Sequence, residues 1–294
     1  MKINIDEFEH TGKKKFEIKD VPTKVKDLYV SEEDYLIQLS TIRTEIDKYQ
    51  SLMFADKRYA MLNIFQALDA AGKDGTIKAV YAGVNPAGVV VHGFNRPTAQ
   101  ELSHDFMWRN MMKMPERGQI AVHNRSYYEE VLVVKVHPSI LLEGQSIPKE
   151  FTKNVDKVWE ERYEDIRNYE SYLHRNGTVV MKFFLHVSKE EQGNRLIERI
   201  KDPKKNWKFD KQDVVERGFW KEYHKAYEEL INETAKENAP WYVIPADDKK
   251  NMRLIISSLI LEKLKNLKMA YPKLSQEEQT ELQQLLPIIE EQNG

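Results

Sequence analysis

Five short apolar runs, each rich in β-branched or aromatic residues and each followed by helical spacing, constrain this chain more than any other feature. They are Met61 to Gln66, Val89 to His92, Gln119 to His123, Thr178 to Leu185 and Trp241 to Ile244. Short runs bounded by turn residues and lacking polar alternation read as strands buried on both faces. An early helical pattern opens at Ser31-Glu32-Glu33, with Tyr35, Leu36, Leu39, Ile42, Ile46 and Tyr49 recurring at helical spacing. Further helices are expected over residues 76–83, 98–114, 127–136, 153–175, 188–201, 211–236 and 248–267. Ser126 to Glu129 and Ser188 to Glu191 have the form of capping boxes. Strand–helix alternation of this kind predicts an α/β fold of three layers, a mainly parallel five-stranded sheet with helices on both faces.

At 294 residues the chain can form one large domain or two small ones. Residues 1–30 are polar and irregular and read as an N-terminal extension; residues 31–267 form the α/β domain; residues 268–294 form a tail. From Pro272 the tail is acidic and Gln-rich, and reads as one amphipathic helix packed on the domain or on a neighbour. The formal net charge of -2 gives no global attraction to nucleic acid or an anionic membrane, so a polyanion site must come from local clustering. Cysteine is absent, which excludes disulfides and thiolate metal sites and suits a reducing compartment. Met1 to Glu7 has no apolar signal-peptide core, and no run approaches the ~18 apolar residues of a membrane span. A cytoplasmic protein is expected.

The first strand leads into Gln66-Ala67-Leu68-Asp69-Ala70-Ala71-Gly72-Lys73-Asp74-Gly75-Thr76, and Ile77-Lys78-Ala79-Val80-Tyr81 continues as helix. A small-residue loop ending in Gly-Lys between strand and helix can cradle phosphate. Backbone N–H groups and the helix N-terminus face the anion, and the lysine adds a mobile charge. Measured against G-x-x-x-x-G-K-[ST], Ala67 replaces the first glycine and Asp74 follows the lysine. An ordinary strand–turn–helix connection is the alternative.

A phosphate loop needs further cations, a metal ligand and a cover against water. The strand ending at His123 continues with Asn124-Arg125-Ser126, where a P-loop enzyme usually places an Asp, so Arg125 can point into the site from the sheet edge. Arg195 and Arg199 share a helix face, and Pro203 breaks the helix into Lys204-Lys205-Asn206-Trp207-Lys208-Phe209. This stretch is either a solvated charged turn or a basic lid over roughly residues 188–218; Trp207 and Phe209 favour the lid. Asp69, inside the loop, is the main anionic ligand for a phosphate-bridging Mg²⁺. Glu129 and Glu130 are further candidates or helix caps. The eight histidines show no metal spacing, no Ser/His/Asp arrangement is legible, and His92 and His104 read as structural or rim residues.

Taken together, several segments resemble the polyphosphate kinase 2 family, the polyphosphate:nucleotide phosphotransferases. They are Leu68 to Thr76, Gly83-Val84-Asn85-Pro86, Glu101 to Phe106 with Trp108-Arg109, Asn124 to Val133, Asp202 to Lys208 and Ala239 to Asp247, in order across roughly residues 30–265. The resemblance implies a P-loop kinase-like fold similar to thymidylate kinase, with a helical lid. It also implies reversible, Mg²⁺-dependent transfer of the terminal phosphoryl group of inorganic polyphosphate to AMP and ADP, with guanine nucleotides as further candidates. The Asn-Arg-Ser-Tyr-Tyr-Glu-Glu segment resembles the one-domain branch that accepts both mono- and diphosphates. On that likeness Asp69, Lys73 and Arg125 are the catalytic residues and Asp69 the metal ligand. Ala70, Ala71, Gly72, Lys73, Asp74, Gly75, Thr76, Lys78, Arg125, Arg195, Arg199, Lys204, Lys205 and Lys208 are expected on polyphosphate, and Asp74, Asn124, Arg125, Glu130 and Lys205 on nucleotide. A homo-oligomer, dimer or tetramer, is implied. An ATP-dependent nucleoside monophosphate kinase and a non-catalytic polyphosphate-binding protein are the alternative readings.

Overall fold

The computed structural model describes residues 4–293; residues 1–3 and 294, which include the start of the expected N-terminal extension, lie outside the described residues. In chain order the elements are β1 (Glu9–His10), α1 (Glu32–Asp56), β2 (Ala60–Gln66), α2 (Lys73–Tyr81), β3 (Val89–Gly93), α3 (Ala99–Leu102), α4 (Trp108–Met111), β4 (Ile120–Asn124), α5 (Val133–Val136), α6 (Val155–Arg175), β5 (Thr178–His186), α7 (Lys189–Lys201), α8 (Lys211–Gly218), α9 (Trp220–Thr234), β6 (Trp241–Pro245), α10 (Lys249–Lys265) and α11 (Gln276–Gln292). Short 3-10 turns intervene, among them Tyr127–Val131.

The sheet runs β1-β6-β5-β2-β4-β3, parallel throughout except where β1 meets β6. Strands β2 to β6 are the five expected from the apolar runs. Every residue of β2 and β6 is buried, as a parallel strand covered on both faces requires. Because side chains alternate across a strand, the sheet divides the core in two. Leu62, Ile64, Val180, Phe184, Trp241 and Val243 face one way, with Trp159, Tyr163 and Ile166 of α6 and Leu230 of α9. Met61, Phe65, Phe183, Tyr242 and Ile244 face the other, with Ile46 of α1, Val80 of α2 and Ile255 and Leu259 of α10.

Several expectations need correction. The helix expected over 127–136 is a 3-10 turn, Tyr127–Val131, and the short α5, because Leu132 between them leaves helical backbone (φ -111°, ψ -87°). The helix expected over residues 98–114 is two short pieces, because the Asp105 carboxylate accepts from Met107 N (2.9 Å) in an Asx-type turn between them. The helix expected over 211–236 breaks after Gly218, giving α8 and α9. Neither predicted capping box closes reciprocally. Ser188 accepts from Glu191 N, but Glu191 turns to Arg195; Ser126 accepts from Tyr128 N rather than from Glu129. Residues 9–30 are irregular as expected, yet they pack as a strap. Phe16 and Ile18 are buried, their backbone amides donating to Asn232 Oδ1 and Glu228 Oε2 of α9 at 2.8 Å, and β1 adds a sixth strand beside β6.

The tail helix α11 exists but does not pack on the domain: all its described residues are exposed, including the Leu282, Leu285, Leu286 and Ile289 stripe. The two termini should therefore respond oppositely to truncation of apolar side chains. Phe16→Ala is expected to cost about 3–5 kcal/mol in a urea unfolding titration, whereas Leu286→Ala should stay within about 0.5 kcal/mol. A near-zero effect of Phe16→Ala would remove the strap from the core.

Candidate active site

Strand β2 lies between β4 and β5, at the point where the connections turn to opposite edges of the sheet, and the crevice beyond such a point is where ligands bind in open α/β sheets. The loop after β2 occupies it. Gly72 takes the left-handed conformation (φ 106°) that caps α2, and Ala70 is left-handed as well (φ 60°). Ala67, at the position of the first motif glycine, is not among the described residues with positive φ, so the loop needs no glycine there. Across the crevice Arg125, at the end of β4, is also left-handed (φ 65°). Non-glycine residues in this region cost energy and cluster at functional sites.

Lys73 is buried and its Nζ donates to the Ala67 carbonyl (2.7 Å), so the lysine folds back over its own loop. Burial, and then the neighbouring Arg125, lower its pKa, opposed by Asp69, Glu129 and Asp74. Arg125 donates to Asp69 Oδ1 (3.0 Å), and burial works against its charge while Glu129 and Asp69 raise its pKa. Asn124 donates to Asp74 Oδ1 (2.6 Å), tying the end of β4 to the first turn of α2. Thus Asp69, Lys73, Asp74, Asn124 and Arg125 converge, together with the backbone of Ala70, Ala71 and Gly72.

Glu129, which the sequence offers as a further candidate or a helix cap, belongs to this group. With its amide oriented to satisfy both neighbours, Gln66 donates to Glu129 Oε1 (2.7 Å) and accepts from Ser126 N (3.0 Å). Burial raises the Glu129 pKa, and Arg125 and Lys73 pull it back. Its place just after the end of a strand, three residues beyond Ser126, was the signal available in the sequence.

Other expected residues lie elsewhere. The Thr76 hydroxyl faces Met252 Sδ of α10 (3.8 Å). Gly75 and Lys78 are exposed on α2, outside the hydrogen-bonded cluster. Arg195 is not a free lid cation: Nη1 donates to Ala71 O (2.7 Å), Nη2 to Ala246 O (2.6 Å), and Nε to Glu191 (2.7 Å). It pins the phosphate loop to the end of β6, and Gln192 does similar work on Asp69 O (3.1 Å). Arg199 joins α7 to α8 through Asp213 (2.9 Å). Lys205 pairs with Glu198 and Asp202, while Lys204 and Lys208 are exposed and Lys208 lies over the ring of Trp207, itself 79% exposed. Glu130, buried, points away from the loop into a cavity of about 330 Å³ shared with Glu101, Phe106, Arg109, Gln145 and Arg162; it pairs with Arg162 (3.2 Å).

Asp69 and Glu129 are the carboxylates able to hold a cation at the cradle. No group of three or more His, Cys, Asp or Glu residues that could hold a metal occurs among the described residues. Mg²⁺ suits that donor set, since it binds through one or two carboxylates plus phosphate oxygens and water. Among the described residues no helix is long and apolar enough to cross a membrane.

The family described as Polyphosphate kinase 2 (PPK2) matches residues 29–272. The chain belongs to the polyphosphate kinase 2 family. It is 48% identical over 287 residues to an ADP-polyphosphate phosphotransferase of Rhodopseudomonas palustris, spanning 97% of this chain and 98% of the relative. It is 43% identical to an AMP/ADP-polyphosphate phosphotransferase of Meiothermus ruber, over 80% of this chain and 82% of that one. The crystal structure of polyphosphate kinase 2 from Arthrobacter aurescens superposes with a TM-score of 0.79 at 34% identity, covering 88% of this chain and 89% of that one. The polyphosphate kinase 2 fold is thus an α/β P-loop kinase-like fold, and this member is a kinase-type enzyme.

Asp213 of α8 pairs with Arg199 of α7 and lies within electrostatic reach of Asp69. Burial and then the charge of Asp69 push its pKa from 3.8 up to about 6, Arg199 opposing. Between about pH 4 and pH 6 the folded chain holds a proton there that the unfolded chain has released, so this group's contribution to stability declines as pH rises through that window. Asp213→Asn keeps an acceptor for Arg199 without the charge. Its melting temperature should exceed that of wild type near pH 7.5 and match it near pH 4; an equal or lower value near pH 7.5 contradicts the placement.

Proposed function

We propose that this protein transfers the terminal phosphoryl group of inorganic polyphosphate to AMP and ADP, with GMP and GDP as further acceptors, in a reversible Mg²⁺-dependent reaction. The observation that carries the proposal is the convergence of Lys73, Arg125 and Asp69 at the loop after β2. The names of the relatives support the choice of donor and acceptors.

Phosphoryl transfer through a loose transition state asks little covalent chemistry of a protein, so positioning and cation placement dominate. Inorganic polyphosphate carries a charge at every unit and no base, so its site needs N–H groups and cations. The backbone of residues 70–72 and the α2 N-terminus supply the first, Lys73 and Arg125 the second. On arrival of phosphate, Lys73 exchanges its bond to the Ala67 carbonyl for a phosphate oxygen. Asp69 and Glu129 would hold Mg²⁺, which when bound neutralises charge between donor and acceptor. Lys204, Lys205 and Lys208 line the strand of phosphates as the lid, residues 188–218, closes. Asp74, Asn124 and Glu130 orient the nucleotide, Glu130 from the wall of the cavity beside Arg162. The catalytic unit is residues 31–267. Leu282, Leu285, Leu286 and Ile289 on the uncovered α11 support a homo-oligomer, dimer or tetramer, and the cysteine-free composition supports a cytoplasmic location.

Incubation with polyphosphate, Mg²⁺ and each of AMP, ADP, GMP and GDP, with no ATP added, is expected to yield ADP from AMP and ATP from ADP by chromatography. Acceptors left intact would overturn the proposal, and turnover of AMP only on addition of ATP would identify a nucleoside monophosphate kinase instead. Lys73→Ala and Arg125→Ala should each lower turnover by ~10³-fold or more; near-normal rates in both variants would refute their roles.

A further inference from the structure

We propose that the buried Lys182–Glu170 pair positions the phosphate site, acting through Tyr127 and Tyr128 on the turn that carries Arg125, Glu129 and Glu130. The inference rests on the phosphoryl-transfer reading above and assigns work to residues that never touch substrate.

Lys182 of β5 is 0% exposed, and its ammonium donates to Glu170 Oε2 of α6 (2.6 Å), the Thr234 carbonyl at the end of α9 (2.9 Å) and the Tyr128 hydroxyl (3.1 Å). Glu170 Oε1 accepts from the hydroxyls of Tyr127 (2.9 Å) and Tyr128 (2.8 Å). All three donors of the ammonium are used, and both carboxylate oxygens are engaged. Such a pair is poor evidence of stabilisation, because desolvation offsets the attraction and apolar replacements of similar volume are often neutral or better. The tyrosine rings already fill the core, both fully buried, and phenylalanine would fill it equally. What the hydroxyls and the ion pair add is a fixed address for the turn.

That turn needs one. Arg125 stands in left-handed backbone, and such strain persists only where the surroundings over-determine it. Upstream it is held by its N–H on the Phe65 carbonyl (3.0 Å); downstream Gln66 of β2 holds Ser126 N (3.0 Å), and Glu170 of α6 holds Tyr127 and Tyr128 from the far side of the turn. From there the turn sends Glu129 to Lys73 and Arg125, and Glu130 to Arg162 at the cavity. A shift of this anchor moves the phosphate cations and the acceptor pocket together.

The test replaces the whole polar set at once: Tyr127→Phe, Tyr128→Phe, Glu170→Leu and Lys182→Met, which leaves neither a lone buried charge nor an orphaned tyrosine hydroxyl. Saturating both polyphosphate and nucleotide, kcat is expected to fall by ~10²-fold, the scale of a misplacement of about 1 Å, with both KM values within about threefold and the melting temperature unchanged or raised. A kcat like that of wild type, or a rise in KM alone, would overturn the inference. Should the fourfold variant not fold, Tyr127→Phe alone decides by the same split: a several-fold fall in kcat at constant KM supports it, an unchanged kcat overturns it. Wild-type turnover measured alongside separates failure of the activity reading from failure of this one.

Discussion

Two cations, Lys73 and Arg125, are held near each other at the ends of β2 and β4, and much of the surrounding structure serves to keep them there. Burial and then Arg125 lower the Lys73 pKa, whereas Glu129 and Asp69 outweigh the burial of Arg125 and raise its pKa. Asp69 and Glu129 make the arrangement tolerable by sitting between them, so the resting site is a neutralised quartet. On the proposed function, an incoming chain of phosphates competes with these carboxylates for the two cations. Lys73 meanwhile donates to a backbone carbonyl, which is a weaker partner than a phosphate oxygen and can be exchanged for one.

The neighbouring elements act on this quartet from fixed directions. Arg195 binds the loop backbone to β6 and Gln192 holds Asp69 from the same helix, so α7 is tied directly to the cradle. Arg199 and Asp213 join α7 to α8. The strap of residues 9–30 is tied into this frame as well: Thr23 and Ser188 share the Asp247 carboxylate, next to the carbonyl that Arg195 uses.

Much of this was legible in the chain itself. Parallel strands buried on both faces leave continuous apolar runs, so β2, β4, β5 and β6 were visible, and a Gly-Lys after the first of them marked the crevice; β3 was visible from its β-branched run although, at the sheet edge, it is largely exposed rather than buried. Arg125 was readable because it follows a strand end. Arg195 was misread for a geometric reason: spacing of four shows that Arg195 and Arg199 share a helix face, but not that the first of them points inward at the loop. Glu129 was underrated because an acidic residue after a Ser-x-x start is also what a helix cap looks like. The strap escaped because its anchors, Phe16 and Ile18, are isolated in a polar segment, and their amides are satisfied by side chains more than 200 residues away. The tail's amphipathic spacing was correct about the helix, but spacing alone does not choose between the domain and a neighbour as its cover, and the domain does not cover it.

The central claim is that the loop from Ala67 to Lys73 grips phosphate. A crystal structure with a short inorganic polyphosphate bound tests it most directly. The account predicts phosphate oxygens on the N–H groups of residues 70–73 and on Arg125, with Lys73 Nζ moved from the Ala67 carbonyl to the anion. An anion bound elsewhere, with Lys73 still on its own loop, would contradict it.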